Sequence, residues 1–227
     1  MDEILLKALN YAQACHGGDC SGHDFEHIKR VLKNAESILA DESGADGLVV
    51  RLSAILHDVD DYKLGSDGER AKRFLSENDV AKDVADKVLE VIGAISFSKS
   101  GSAPQFEMIE QKIVSDADKL DAMGAIGVCR AMMYSAATER PLFNAEEFPN
   151  KNLTPEEYKN KTRAGNHAIN HFFDKLLKLK GAMQTKAGRR EAERRHKFML
   201  LFLEEFFLEV DAQDWSSYLQ IYDNESV

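Results

Sequence analysis

Thirty-nine acidic side chains against 29 basic ones give this 227-residue chain a formal net charge of −10, the wrong sign for a protein that tracks a nucleic-acid backbone. The three cysteines, Cys15, Cys20 and Cys129, are odd in number and form no C-x-x-C pair, which argues against a disulfide framework or a zinc knuckle. Neither a signal-peptide pattern at the amino terminus nor an apolar run of membrane-span length is present, so the expected location is the cytoplasm, away from membranes.

In chain order, apolar residues recur at three- and four-residue intervals, which predicts an all-α protein. One stripe runs through Ile28, Val31, Leu32, Ala35 and Leu39, with Asp24 as the N-cap and Gly44 as the stop. A second helix is expected from about Asp46 into His57, followed by a polar loop from Lys63 to Gly68. Residues 69–78 and 80–94 read as two more helices, the latter striped by Val84, Val88, Val91 and Ile92.

The stretch from Ser96 to Pro104 reads as a loop. Helices resume near Glu107 and again over Asp121 to Thr138. After a long loop from Pro141 to Pro155, Thr154 and Glu157 have the spacing of a capping box. Two amphipathic helices, roughly 156–180 and 186–210, fill the last third. Nothing resembles a linker, so one domain over 1–227 is expected, with the helices of 156–210 packed on a core at about 20–130. The tail beyond Asp211 is polar apart from Trp215, Tyr218 and Ile221.

Chemistry concentrates at three places. His57-Asp58 ends the apolar run Leu48 to Leu56, where a buried helix meets a polar loop. Burying such groups is costly unless something pairs with them, and a divalent cation is one such partner. Upstream, His23 and His27 are four apart and share a helix face. His27, one turn into the helix, is the better ligand, and His23 suits a capping or supporting role. Downstream, Asp116, Asp118 and Asp121 form an acidic cluster in which spacing alone does not choose a ligand. A lone His-Asp dipeptide is weak evidence; the ordered set H…HD…D is strong. His167 and His171 also share a face, but no carboxylate lies between them, and they read as core or pocket-wall histidines.

These residues, His23-Asp24-x-x-His27-x-x-Arg30-Val31, Leu56-His57-Asp58 and Asp116-Ala117-Asp118-Lys119-Leu120-Asp121-Ala122-x-Gly124-Ala125-Ile126-Gly127, resemble the HD-domain superfamily of metal-dependent phosphohydrolases, and within it the bacterial YedJ/YpgQ-like subgroup. The likeness continues through Asn170-His171-Phe172, Lys175-Leu176 and Met183-x-Thr185, nearly the whole chain. It implies a single helical HD-domain bundle with a mononuclear metal site held by His27, His57, Asp58 and Asp118. The last rests on the Ala-Asp-x-Leu stretch, with Asp116 as the alternative. Ile95 stands where a histidine is often found in the subgroup. Between Asp58 and His167 there is no histidine at all, which favours one metal and hydrolysis over redox chemistry.

The implied cofactor is one divalent cation, Mn²⁺ or Mg²⁺ first, with Zn²⁺, Fe²⁺, Co²⁺ and Ni²⁺ as further candidates. Asp61, four residues after His57, is placed to orient or deprotonate the attacking water, a role that resembles one in (p)ppGpp-hydrolysing relatives. Lys119, Arg30 and Lys63 are the cations nearest the motifs, and with His23 they are the candidates for holding phosphates. The expected partner is a small phosphate ester or nucleotide, with a nucleoside triphosphate cleaved to monophosphate and pyrophosphate as the leading reaction. The alternatives are hydrolysis of (p)ppGpp or a nucleoside monophosphate, or a non-catalytic metal- and nucleotide-binding sensor. The oily stripe of Phe198, Leu201, Phe202 and Phe206 is either core or the surface of a homodimer.

Overall fold

The structure, a computed structural model, describes residues 3–16, 24–61, 65–98, 106–150, 154, 157, 160 and 165–224. Among these every regular element is helical: α1 (Glu3–Cys15), α2 (Phe25–Leu39), α3 (Gly47–Leu56), α4 (Arg70–Glu77), α5 (Lys82–Ser98), α6 (Ile109–Asp121), α7 (Gly124–Ala137), α8 (Ala168–Asp174), α9 (Lys186–Glu209) and α10 (Ser216–Asn224), with short 3-10 turns at Leu176–Ala182 and Gln213–Trp215. The chain divides into two compact units. One comprises Met1–Asp118 with Gln184–Gly188, the other Lys119–Met183 with Arg189–Val227.

The first unit is built around α3, which packs on α1, α2 and α5. Apolar residues surround this helix on nearly all sides, and Val49, Val50, Leu52, Ala54, Ile55 and Leu56 are each fully buried. A helix apolar all round belongs in a core. Its start is held by Asp46, whose side chain accepts from the N–H groups of Leu48 and Val49. The Asp46 N–H in turn donates to Glu110 at 2.7 Å, anchoring α6 against the start of α3. Helix α2 begins as the sequence suggests, with Asp24 accepting from the N–H of His27 at 2.9 Å. It ends at Leu39, five residues before Gly44, with Ala40 as its C-cap. Gly44 serves the turn beyond, where its φ of +84° suits a residue without Cβ.

Helix α5 runs four residues past its expected end, through Ser96 to Ser98. The reason is Ile95, which continues the buried line of Val88 and Val91 by another turn and is itself 2% exposed. The remainder of that expected loop, 99–104, lies outside the described residues, as does Cys20.

In the second unit the expected continuous helix over 156–180 is replaced, in its described part, by two short elements. Gly165, at φ +73°, breaks the backbone direction. His167 then caps α8, its Nδ1 accepting from the N–H of Asn170 at 3.1 Å, and the chain tightens into a 3-10 turn after Asp174. The capping box does form, with Thr154 N–H donating to Glu157 at 2.8 Å and Glu157 N–H to the Thr154 hydroxyl at 3.2 Å. The tail packs back through Trp215, which is 1% exposed. Its ring sits 4.9 Å from Phe143 and 5.4 Å from Phe207, and its indole N–H donates to the Ala145 carbonyl at 3.1 Å.

Candidate metal centre

Four side chains meet in the first unit where α2, the end of α3 and α6 approach one another. His57 is the C-cap of α3, so the helix delivers its ring to the edge of the core. The ring is locked there: Nδ1 lies 3.0 Å from the Ala54 carbonyl. The carbonyl can only accept, so Nδ1 carries the hydrogen. The other nitrogen, Nε2, is buried without a hydrogen-bond partner and points at carboxylates. Asp58 Oδ2 lies 3.4 Å away and Asp118 Oδ1 3.7 Å away.

His27 completes the group from α2. Its Nε2 lies 3.4 Å from the same Asp58 oxygen and 3.5 Å from the same Asp118 oxygen, and the two imidazole rings are 5.4 Å apart. His27, His57 and Asp58 are buried, with exposures of 0%, 3% and 3%, whereas the Asp118 side chain is 19% exposed. The amide of Asn34 donates to the Ala117 carbonyl at 3.1 Å, which pins α6 to α2 beside Asp118.

One nitrogen each of His27 and His57 and an oxygen of Asp118 lie within 4.8 Å of one another and could hold a divalent ion, and the Asp58 oxygen stands 3.4 Å from both nitrogens. Burial by itself would push the His57 imidazole to a lower pKa. The charges of Asp58 and Asp118 overcome that and raise it to about 10, so the ring holds a proton when no cation competes for it. The fixed tautomer, the solvent-shielded Nε2 and the paired carboxylates therefore fit a resident cation, which would take the place of that proton.

The neighbouring aspartates go elsewhere. Asp116, the alternative ligand, is fully buried, and its carboxylate accepts from Gln184 N–H at 2.9 Å and from the N–H and hydroxyl of Thr185 at 2.8 Å each. Those donors lie just before α9, and the Thr185 hydroxyl in turn accepts from the Gly188 N–H at 2.9 Å, so Asp116 holds the N-cap of that helix from across the unit. Asp60 caps α4 itself, accepting from the N–H groups of Arg70 and Ala71 at 2.9 and 3.0 Å and from the Ser66 hydroxyl. Asp121 pairs with Arg130 at 2.7 Å. Sequence reading missed both capping roles. The available signal was a helix start at Glu69, which is not one of the short Ser, Thr, Asp or Asn side chains that cap well.

Of the other candidates, Asp61 follows Asp58 in a tight turn, its N–H donating to the Asp58 carbonyl at 3.0 Å. Arg30 lies one turn after His27 on α2, and Lys119 directly follows Asp118 on α6, both half-buried. His23 and Lys63 lie outside the described residues. His167 is buried as the cap of α8, and His171 on the same helix is half-buried. Cys15 and Cys129 are free thiols. No helix among the described residues is long and apolar enough to cross a membrane.

Residues 24–123 match the family model of the HD domain. The Bacillus subtilis protein YpgQ is 32% identical over 90% of this chain and 92% of its own length. Its crystal structure in complex with ADP superposes with a TM-score of 0.68, covering 91% of this chain and 97% of that one at 30% identity. A Lactobacillus plantarum structure reaches a TM-score of 0.80 at 34% identity, covering 93% of this chain and 99% of the other. An HD-superfamily hydrolase from Bacillus thuringiensis gives 0.72 at 33% identity, with 92% and 97% covered.

Proposed function

Because the chain belongs to the HD superfamily, a family of hydrolases, we propose that it is a metal-dependent phosphohydrolase acting on a nucleotide, with a nucleoside triphosphate cleaved to monophosphate and pyrophosphate as the leading reaction. One observation carries the reading: His27 Nε2 and His57 Nε2 both stand 3.4 Å from a single buried Asp58 oxygen, with Asp118 completing the set. A divalent cation held by these four residues would supply Lewis-acid polarisation of a phosphoryl oxygen and a water of lowered pKa. Two imidazoles make the donor set softer than the all-oxygen surroundings Mg²⁺ prefers, which supports Mn²⁺.

The chain's own groups take the remaining roles. Asp58 and Asp118 carry the negative charge that holds the cation. The Ala54 carbonyl keeps the His57 lone pair on Nε2. Asp61 is assigned the attacking water's proton, a role supported by its position one turn beyond Asp58. Lys119 and Arg30, with Lys63 and His23, are assigned to the phosphates, where cations neutralise charge gathering on the leaving group. The nucleotide as ligand is supported by the ADP bound to the related YpgQ.

The test is release of phosphate and pyrophosphate from a panel of nucleoside mono-, di- and triphosphates with Mn²⁺, Mg²⁺ or chelator, with Asp58→Ala as the control. Turnover that needs metal and vanishes in the variant supports the reading, and the product names the bond broken. A metal-loaded protein that turns over no nucleotide sinks it.

A further inference from the structure

The four groups of the metal centre are not all held alike. His57 and Asp58 leave the end of α3, and α3 packs on α2, which carries His27. Asp118 arrives separately, on α6. Its side chain is 19% exposed, against 4% or less for the other three. Ile113, Val114 and Ala117 bury the inner side of α6, but apolar burial has no direction and does not by itself set how far a helix is rotated about its axis. With 3.6 residues to the turn, a carboxylate carried on that helix swings with the rotation.

Asn34 supplies the missing direction. His27, Val31, Asn34 and Ile38 follow one another on α2 at spacings of four, three and four residues, so they line one stripe of that helix. Val31 and Ile38 are buried and Asn34 is half-buried among them, at a position where an aliphatic side chain would pack without the cost of desolvating an amide. Its amide N–H donates instead to the Ala117 carbonyl at 3.1 Å, one residue before Asp118. A hydrogen bond is directional where packing is not. This one joins the helix that carries His27 to the helix that carries Asp118. A single polar residue in a helix-packing stripe characteristically gives up some stability and fixes register in return.

Resting on the reading of these four groups as a metal centre, we propose that Asn34 is a positioning residue for it. By tying Ala117 to α2, Asn34 sets the rotation of α6 and with it the 3.5 Å separation of Asp118 from His27. It acts through Asp118 and is not itself a ligand.

Urea unfolding of the metal-free full chain and calorimetric Mn²⁺ titration of the folded chain test it, in wild type, Asn34→Leu, Asn34→Ala, Asp118→Ala and the double variant Asn34→Leu/Asp118→Ala. Asn34→Leu is expected to be at least as stable as wild type, since it extends the apolar stripe, and yet to bind Mn²⁺ roughly tenfold more weakly. Asn34→Ala should show the same loss of affinity, which separates the missing amide from the bulk of leucine. On the Asp118→Ala background Asn34→Leu should weaken binding no further, because the residue it positions is gone. Asn34 variants that fold and bind Mn²⁺ like wild type overturn the proposal. So does an equal loss of affinity with and without Asp118, the mark of a merely structural residue. A wild type that binds no Mn²⁺ sinks the metal reading and this proposal together. Neither measurement uses turnover, so failure of the hydrolase reading and failure of this one are told apart.

Discussion

Asp116 and Thr185, 69 positions apart, are joined twice: the backbone N–H and the hydroxyl of Thr185 both donate to Asp116 Oδ2 at 2.8 Å. With the Gln184 N–H at 2.9 Å on Oδ1, one buried carboxylate satisfies the donors just ahead of α9 and fixes the Thr185 hydroxyl that accepts from the Gly188 N–H of its first turn. The same acidic stretch thus has two employments, Asp118 facing the histidines and Asp116 holding α9.

That division predicts opposite phenotypes for two substitutions two residues apart. Asp116→Ala strands buried donors at Gln184 and Thr185 and is expected to lower stability by roughly 2–4 kcal/mol while the folded protein still binds its metal. Asp118→Ala is expected to do the reverse, weakening metal binding by at least about tenfold with a small effect on stability. Urea unfolding of the metal-free proteins and Mn²⁺ titration of the folded ones separate the two. Metal loss in the Asp116 variant with stability intact would assign that carboxylate to the centre instead.

Gly188 supports the same junction. A Cβ built there would collide with Asp116 Oδ2 and stand 2.7 Å from the Thr185 hydroxyl. Neither neighbour is a free-swinging side-chain end, since each is held by the hydrogen bonds just described. Gly188→Ala, ordinarily a helix-stabilising change, is therefore expected to destabilise by roughly 1–3 kcal/mol, read from the shift in urea midpoint at constant slope. A midpoint at or above the wild-type value would show that the junction yields.

The metal centre should exchange protons for metal. His57 is raised to about 10 by Asp58 and Asp118 against the opposing effect of burial, whereas a metal-bound imidazole is neutral at Nε2. Between about pH 6 and 9 the cation must therefore displace a proton, and affinity for Mn²⁺ is expected to climb by about tenfold per pH unit from that group alone. Calorimetric titration in two buffers of different ionisation enthalpy counts the protons directly, with about one expected at neutral pH. A count of zero would mean that His57 is already neutral or stands apart from the metal.

How much of this was legible beforehand follows the range of the interactions. His57 at the end of α3 could be read because its cause is local: Asp46 caps one end of a short apolar run and the run's length delivers the histidine to the other. Asp24 and the Thr154–Glu157 box were legible for the same reason, each acting on residues within three positions. The choice between Asp116 and Asp118 was not, because it turns on Thr185. The capping of α4 by Asp60 acts across ten residues and a loop. The expected long helix over 156–180 failed at Gly165 and His167, where a single positive-φ glycine and a histidine cap outweighed the apolar periodicity.

The Arg194–Glu191–Arg195 cluster on α9 gives the stability its own acid dependence. Hydrogen bonds from Arg194, opposed by partial burial and aided by Arg195, hold the Glu191 carboxyl down at about 2 against an ordinary 4.5. A carboxyl lowered on folding stabilises the protein fully above its unfolded value and loses that contribution as pH falls through the folded one. The window is therefore about pH 4.5 down to about 2. Complete conversion of the shift would overstate the effect, because the side chain is 32% exposed and screened by solvent, so about 1 kcal/mol is expected. Glu191→Gln should be less stable than wild type by that amount at pH 7, with the two curves converging as pH falls through the window. Unfolding by urea at pH 7, 4 and 3 measures it, and a difference that stays constant down to pH 3 and below would show that charge at Glu191 is not what holds the two arginines.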